Sequence, residues 1–257
     1  MTDRLQTVIA VARDAGRLAL DLRHDLRVET KPDGSIVTNA DVAVQQHIAL
    51  ALGAAFPDFA IVGEEGGLGG GDLSGPTFAV DPIDGTDSYH RGFVHFGVSI
   101  GLVENGRCTL GVFFNPALDL LYAADAGVAY LNGEPLPRLV DRGLGEGRLL
   151  LAPSNFHRYY TTTFTGKIRG YGSVAQHLCY VASGQAAAAL AFRSHIWDLA
   201  ASLAILDAVD GRYLDLNGRP FDPAPTLNGE KIIDAYLAAP ADCWGEMAAH
   251  IAPRPRP

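Results

Sequence analysis

The run Thr77-Phe78-Ala79-Val80-Asp81-Pro82-Ile83-Asp84-Gly85-Thr86 says more about this 257-residue chain than any other segment. Four residues of strand character end on an acid. A proline stiffens the next step, a second acid follows three places after the first, and Gly85-Thr86 opens what reads as a short helix over 86–91. Across such a turn Asp81 and Asp84 can face one point, and the Ile83 carbonyl can add another oxygen. The free N–H groups of a helix start suit a phosphate.

Two other segments share this pattern. Phe59 to Val62 is an apolar run that ends at Gly63-Glu64-Glu65, and Asp198 follows Trp197 where a nearly all-apolar helix begins. Singly, such acids serve as turn residues and N-caps. As a converging set they do not, because carboxylates about 4 Å apart repel by roughly 4 kcal/mol per pair at an effective dielectric near 20. A cluster needs a cation, and none of these acid motifs contains a lysine or arginine. Hard oxygen ligands without cysteine or suitably spaced histidine indicate Mg²⁺, with Mn²⁺ or Ca²⁺ as alternatives.

The flanking sequence alternates helix and strand. Leu5, Val8, Ile9, Ala12, Ala15 and Ala19 predict an amphipathic helix capped by Thr2 or Asp3, and a second helix runs from Thr38-Asn39 to Pro57. The strip between them, 31–41, is too polar and turn-rich for core. Strands are expected over 96–103, 110–114, 120–124 and 128–131, with turns at Asn105-Gly106 and Asn132-Gly133. Beyond Arg148 come a strand at 149–152, a helix at 173–183, a strand at 186–192 and a helix at 197–209. The change of pattern near 142–147 predicts one domain, 1–257, built of sub-domains of about 1–142 and 143–257. The glycine-rich segment 66–75 reads as a mobile surface loop, since no helix and no lysine-serine pair follow it.

Composition bounds the function. An apolar fraction of 48% supplies a core and excludes global disorder. Twenty basic against 29 acidic side chains give a net charge of −9, which argues against nonspecific nucleic-acid or membrane binding. Cys108, Cys179 and Cys243 are odd in number and widely spaced, against a disulfide framework or cysteine zinc site and for a reducing compartment. Arg13, Asp14, Arg17 and Asp21 break any signal-peptide run, and no stretch nears the ~18 apolar residues of a membrane span. A soluble cytoplasmic protein is expected.

Taken in order, Lys31, Asp33, Val37-Thr38, Asp41, Gly63-Glu64-Glu65, Asp81 to Thr86, Gly172-Ser173 and Trp197-Asp198-Leu199-Ala200-Ala201 resemble the inositol monophosphatase family. These are Mg²⁺-dependent, lithium-sensitive phosphatases, with fructose bisphosphatases, histidinol phosphatases and bisphosphate nucleotidases among them. Weaker marks are Val98-Ser99-Ile100, Asn115-Pro116, Tyr122-Ala123 and Leu131-Asn132-Gly133, and the likeness extends over roughly 31–211.

The resemblance implies an α/β (α+β) fold, a layered αβαβα sandwich of the sugar-phosphatase type, and a homodimer. It implies two or three Mg²⁺, or Mn²⁺, held by Glu64, Asp81, the Ile83 carbonyl, Asp84 and Asp198. It makes Asp41, Glu64 and Thr86 catalytic: water on the metal at Glu64 is oriented by Thr86, which passes a proton to Asp41. Without the likeness, Asp41 reads as a first-turn helix acid. Asp84 and the amides of Gly85 and Thr86 would hold the phosphate, the leaving alcohol would lie against Gly172-Ser173-Val174, and Lys31 and Glu65 would stand behind the ligands.

The implied reaction is hydrolysis of a small phosphate monoester, an inositol, polyol or sugar phosphate, without a phosphoenzyme. The expected partner is a small phosphorylated metabolite, not nucleic acid or membrane. Two departures bear on substrate. Asp87-Ser88-Tyr89 replaces the family's usual residue-asparagine-aromatic sequence, and Ala191 stands seven places before Asp198, where inositol-type members carry a glutamate. Loss of that acid weighs against myo-inositol phosphate, while Arg193 and His195 suggest a more anionic or differently shaped alcohol. Arg169-Gly170-Tyr171-Gly172 resembles histidinol phosphatase-like members. The alternatives are histidinol phosphatase, 3′-phosphoadenosine nucleotidase or fructose bisphosphatase-like activity and, in another class, a regulatory binding protein with incidental activity.

Overall fold

Helix α1 (Asp3–Leu22) starts where Thr2 Oγ1 accepts the Leu5 N–H at 3.3 Å, and Leu5, Val8, Ala12, Ala15 and Ala19 form its buried stripe. In the computed structural model residues 1–32, 34–66, 72–142 and 147–255 are described. Asp33, half of the glycine-rich segment (67–71) and 143–146, at the expected sub-domain change, lie outside the described residues. The segment after α1 forms an antiparallel hairpin, β1 (Val28–Thr30) with β2 (Ile36–Thr38), in which β1 is exposed and β2 is half-buried to buried. Thr38 and Asp41 then form a reciprocal capping box that starts α2 (Asn39–Ala55).

The next elements are β3 (Ala60–Gly63), β4 (Thr77–Asp84) and the short α3 (Thr86–His90). There follow β5 (Gly97–Glu104), β6 (Arg107–Asn115), β7 (Leu120–Asp125), β8 (Val128–Leu131) and β9 (Glu134–Pro135). The strands make one sheet in sequence order, parallel at β3–β4 and antiparallel thereafter. Val98, Ile100, Leu102, Leu110, Val112 and Phe114 share a core with α1 and α2. These alternate residues are the strand period at work.

The second half contributes β10 (Leu149–Leu151), β11 (Tyr160–Thr162), β12 (Lys167–Arg169), α4 (Val174–Ala182), β13 (Ala188–Ala191) and α5 (Ile196–Asp207). It ends with β14 (Gly211–Asp215), β15 (Tyr236–Pro240), α6 (Trp244–Ala249) and β16 (Ile251–Pro253). Its sheet runs β12-β10-β13-β15-β14. Ala189, Ala191 and Ala238 pack toward α4 and α5, whereas Ala188, Leu190, Leu237 and Ala239 pack toward Met247 of α6. The layers are therefore α1/α2, seven strands, α4/α5, five strands and α6, which is the αβαβα sandwich.

Two features of this architecture place the site. Pairing of β4 with β5 slips between Asp81↔Ser99 and Asp84↔Gly97, so three steps on β4 match two on β5. In a regular strand, residues three apart point to opposite faces. The one-residue bulge, at a proline that could not donate to the ladder, restores both acids to one side. The other feature is the approach of α5. Cβ atoms added to the cross-strand partners Gly101 and Gly111 would fall 2.4 Å from Ala201 N and 2.0 Å from Ala201 O. Only glycines let the helix lie this close to the sheet.

Candidate active site

Where β3 and β4 end and α5 begins, a cavity of about 400 Å³ opens. Its walls carry Glu64, Asp81, Asp84 and Asp198, with Ile83, Gly85, Thr86, Asp87 and Gly172, Gly34 and Ser35 of the β1–β2 connection, and Ile36 at the start of β2. Volume alone does not single it out. A cavity of about 350 Å³ between Leu206, Tyr213 and Phe221 is comparable, but the only carboxylate on its walls is Asp207.

Each acid is held by a proton donor of the chain. Asp81 Oδ1 accepts from Ile83 N at 2.9 Å. Asp84 accepts from the Ser173 hydroxyl, from Ala175 N at 2.8 Å and from Val174 N at 3.3 Å, so it lies on the first turn of α4, which Ser173 also caps. Asp198 Oδ2 accepts from His195 N at 2.8 Å in the capping box of α5, and Ser99 ties the adjoining Trp197 carbonyl to β5 at 3.1 Å. Lys31 Nζ bonds Glu64 at 2.9 Å and Glu65 at 2.7 Å. Among the described residues no three acidic or histidine side chains converge on one point in ligating geometry.

Electrostatics nonetheless ties the acids into one group. Burial, then the charges of Glu64, Asp84 and Asp198, pushes Asp81 well above the usual carboxylate range. Burial, then Asp84 and Glu64, does the same to Asp198. Burial lifts Asp84 to about 6 against the opposing bonds from Ser173, Ala175 and Val174. Burial disfavours the charge of Lys31, but Glu64 and Glu65 outweigh it and raise its pKa. An all-oxygen set that resists its own ionisation fits a hard divalent cation.

Thr86 Oγ1 lies 3.1 Å from both Asp41 Oδ1 and the Ile83 carbonyl oxygen, and its proton can be donated to either. Asp41 is fully buried, with Oδ2 accepting from Thr38 N at 2.7 Å and from Thr38 Oγ1 at 2.5 Å. Burial raises its pKa, opposed by those bonds. Asp41 is thus both the helix acid its position suggests and a neighbour of Thr86.

The remaining sequence candidates divide. Gly172 reaches the cavity, held by Tyr171, whose N–H donates to His177 Nε2 at 2.9 Å and whose carbonyl accepts from Ser88 Oγ at 2.9 Å. Arg193 is not among the residues lining the cavity. It is exposed with φ of 56°, its guanidinium 5.6 Å from the centre of the Tyr159 ring. Ala191 faces the α4/α5 layer. Asn115 holds a turn through Ala117 N, and Asn132 accepts from Leu121 N of β7. Sequence reading missed Gln45 and His177, which bond the loops at Glu65 and Tyr171. For Gln45 a signal existed: it is polar, one turn after Asp41, on an otherwise apolar face.

The model of the inositol monophosphatase family matches residues 1–243. The chain belongs to that family. Its curated relatives include a histidinol-phosphatase of Chlorobaculum parvum, 34% identical over 93% of this chain and 94% of that protein. Another is the Nus factor SuhB of Xylella fastidiosa, 33% identical over 82% and 81% of the two chains. An inositol-1-monophosphatase of Bacillus subtilis is 32% identical over 81% and 84%. Among solved structures, a Thermotoga maritima IMPase superposes with a TM-score of 0.83 at 28% identity, covering 96% of each chain. Family membership therefore sets the reaction class, while the relatives' names differ in substrate and role.

Proposed function

We propose that this chain is a Mg²⁺-dependent phosphatase that hydrolyses a small phosphate monoester, an inositol, polyol or sugar phosphate, by in-line attack of water. The observation that carries the reading is the set of four carboxylates on one cavity, beside a helix start that no side chain caps. Glu64, Asp81, the Ile83 carbonyl, Asp84 and Asp198 would hold two or three ions, Mn²⁺ being the alternative. Bound there, the metal would supply the positive field for phosphate oxygens, a water of lowered pKa and charge stabilisation of the leaving oxygen.

The chain's own groups supply orientation and proton transfer. Thr86 Oγ1 takes a proton from the attacking water as its own passes to Asp41 Oδ1, 3.1 Å away. Burial, by raising the Asp41 pKa, strengthens it as the acceptor. The Gly85 and Thr86 amides meet the phosphate, and Gly172 borders the alcohol, while Ser173, fully buried and off the cavity wall, holds Asp84. Arg193 reaches a second anionic group only by leaving Tyr159. With Ala191 buried and no glutamate in its place, an inositol ring lacks one grip for its hydroxyls, which favours a histidinol phosphate-type alcohol as second reading.

In this reading the protein works in the cytoplasm as a homodimer. The three cysteines are unpaired, and among the described residues no helix is long and apolar enough to cross a membrane. Phosphate release from a panel of inositol, polyol, sugar, nucleotide and histidinol monophosphates, titrated with Mg²⁺, tests the assignment. Metal-dependent turnover that collapses in Asp84→Asn is expected. A wild-type protein silent on the whole panel would refute it, and a cellular role that survives Asp84→Asn would favour regulatory binding.

A further inference from the structure

Helix α2 turns two polar side chains inward, Asp41 and Gln45, and Gln45 is only 2% exposed. Its Oε1 accepts the Glu65 N–H at 2.9 Å, and its Nε2 donates to the Gly66 carbonyl at 3.3 Å. The need for this amide follows from sheet topology. β3 is the edge strand, with β4 on one side only. The Glu64 N–H finds Val80 O on β4 at 3.3 Å, but the next N–H points the other way, where no strand lies among the described residues. A buried backbone donor must find a partner. Gln45 offers one acceptor and one donor, as a neighbouring strand would. Gly63 completes the fit, since a Cβ there would fall 2.6 Å from Gln45 Oε1.

We propose that Gln45 is a positioning residue for Glu64. It clamps the turn after β3 and so fixes the direction in which that carboxylate enters the cavity. One helix would then set both the proton acceptor, Asp41, and the metal-facing acid. The inference rests on the phosphatase reading above.

Two variants disturb the clamp independently. Gln45→Met keeps much of the volume but makes neither bond. Gly63→Ala leaves the amide in place and drives its flexible end aside with a methyl group. Partners that orient a metal-bound carboxylate are worth about 10–100-fold in metal affinity or activity. Each variant should lose at least about ten-fold in kcat while KM for the monoester stays within about three-fold, and half-saturation by Mg²⁺ should rise about ten-fold. The rise in Tm on adding Mg²⁺ should shrink, a readout independent of turnover. A merely structural role predicts a lower Tm with unchanged kcat and Mg²⁺ dependence in the folded protein. That result, in whichever variant folds, would overturn the proposal. A wild type without hydrolysis or Mg²⁺ stabilisation would instead sink the phosphatase reading itself.

Discussion

Gly111→Ala adds a single methyl group in β6, two strands away from β4 in the same sheet, and should nevertheless suppress turnover. The new Cβ would stand 2.0 Å from Ala201 O and 2.7 Å from its carbonyl carbon, both backbone atoms that no side-chain rotation can clear. Real contacts of this kind begin near 3 Å, so α5 must retreat by about 1 Å or the strand must bend. Asp198 lies three residues before Ala201 on the same helix and is carried with it. Overpacking of this kind costs about 1–3 kcal/mol, equivalent to a fall in Tm of roughly 2–12 °C for a chain of this size. A displacement near 1 Å in a catalytic group lowers rate by up to about 100-fold. The assay is initial-rate phosphate release at saturating Mg²⁺ and substrate, with Tm by scanning fluorimetry. Gly53→Ala is the control: it lies on α2, a Cβ there meets nothing within 4 Å, and the change should be neutral or stabilising by up to about 1 kcal/mol. If Gly111→Ala keeps wild-type kcat and Tm, then α5 does not deliver Asp198 through this contact.

Two further outcomes follow from the same contacts. Ser173→Ala removes the cap of α4 and a hydroxyl donor to buried Asp84, worth about 1 kcal/mol and about 1.5–3 kcal/mol respectively. Tm should fall by roughly 5–15 °C, and an unchanged melting curve would mean that the hydroxyl carries neither task. Asp84 at about 6 lies above the ~3.9 of an unfolded aspartate, so its contribution favours folding at low pH and is lost as pH rises through the folded value. Asp81 and Asp198 act in the same direction. The gap in Tm between protein in Mg²⁺ and protein in EDTA should therefore widen as pH rises from about 5 to 7, and a constant gap would deny the mutual repulsion.

Chemistry was more legible in the sequence than geometry. Asp81, Asp84, Glu64 and Asp198 stand out because acids interrupt apolar runs, a local signal. That Asp81 and Asp84 share a face depends on the extra β4 residue between Ser99 and Gly97 registers, and pairing register is not written locally. The strip at 31–41 was readable as polar and turn-rich, but the hairpin at 28–38 was not readable as strand, because neither strand exceeds three residues. No element past Val209 was legible. Pro220, Pro223 and several glycines and aspartates punctuate the region, yet β15 forms because Leu237 and Ala239 find the α6 face while Ala238 finds the α5 face. Gln45 was legible only as a polar residue on an apolar helix face, and its bonds to the turn at Glu65 depend on the edge strand beside it.

The placement of α5 between two sheets has a consequence for partly folded forms of this protein. Asp198 meets Glu64, Asp81 and Asp84 only when α5 is docked on the seven-stranded sheet, so neither half contains a working centre. An expanded state with native helices and strands but loosened layers would retain its far-ultraviolet dichroism and be catalytically dead. Turnover is thus a stricter gauge of native packing here than secondary-structure content.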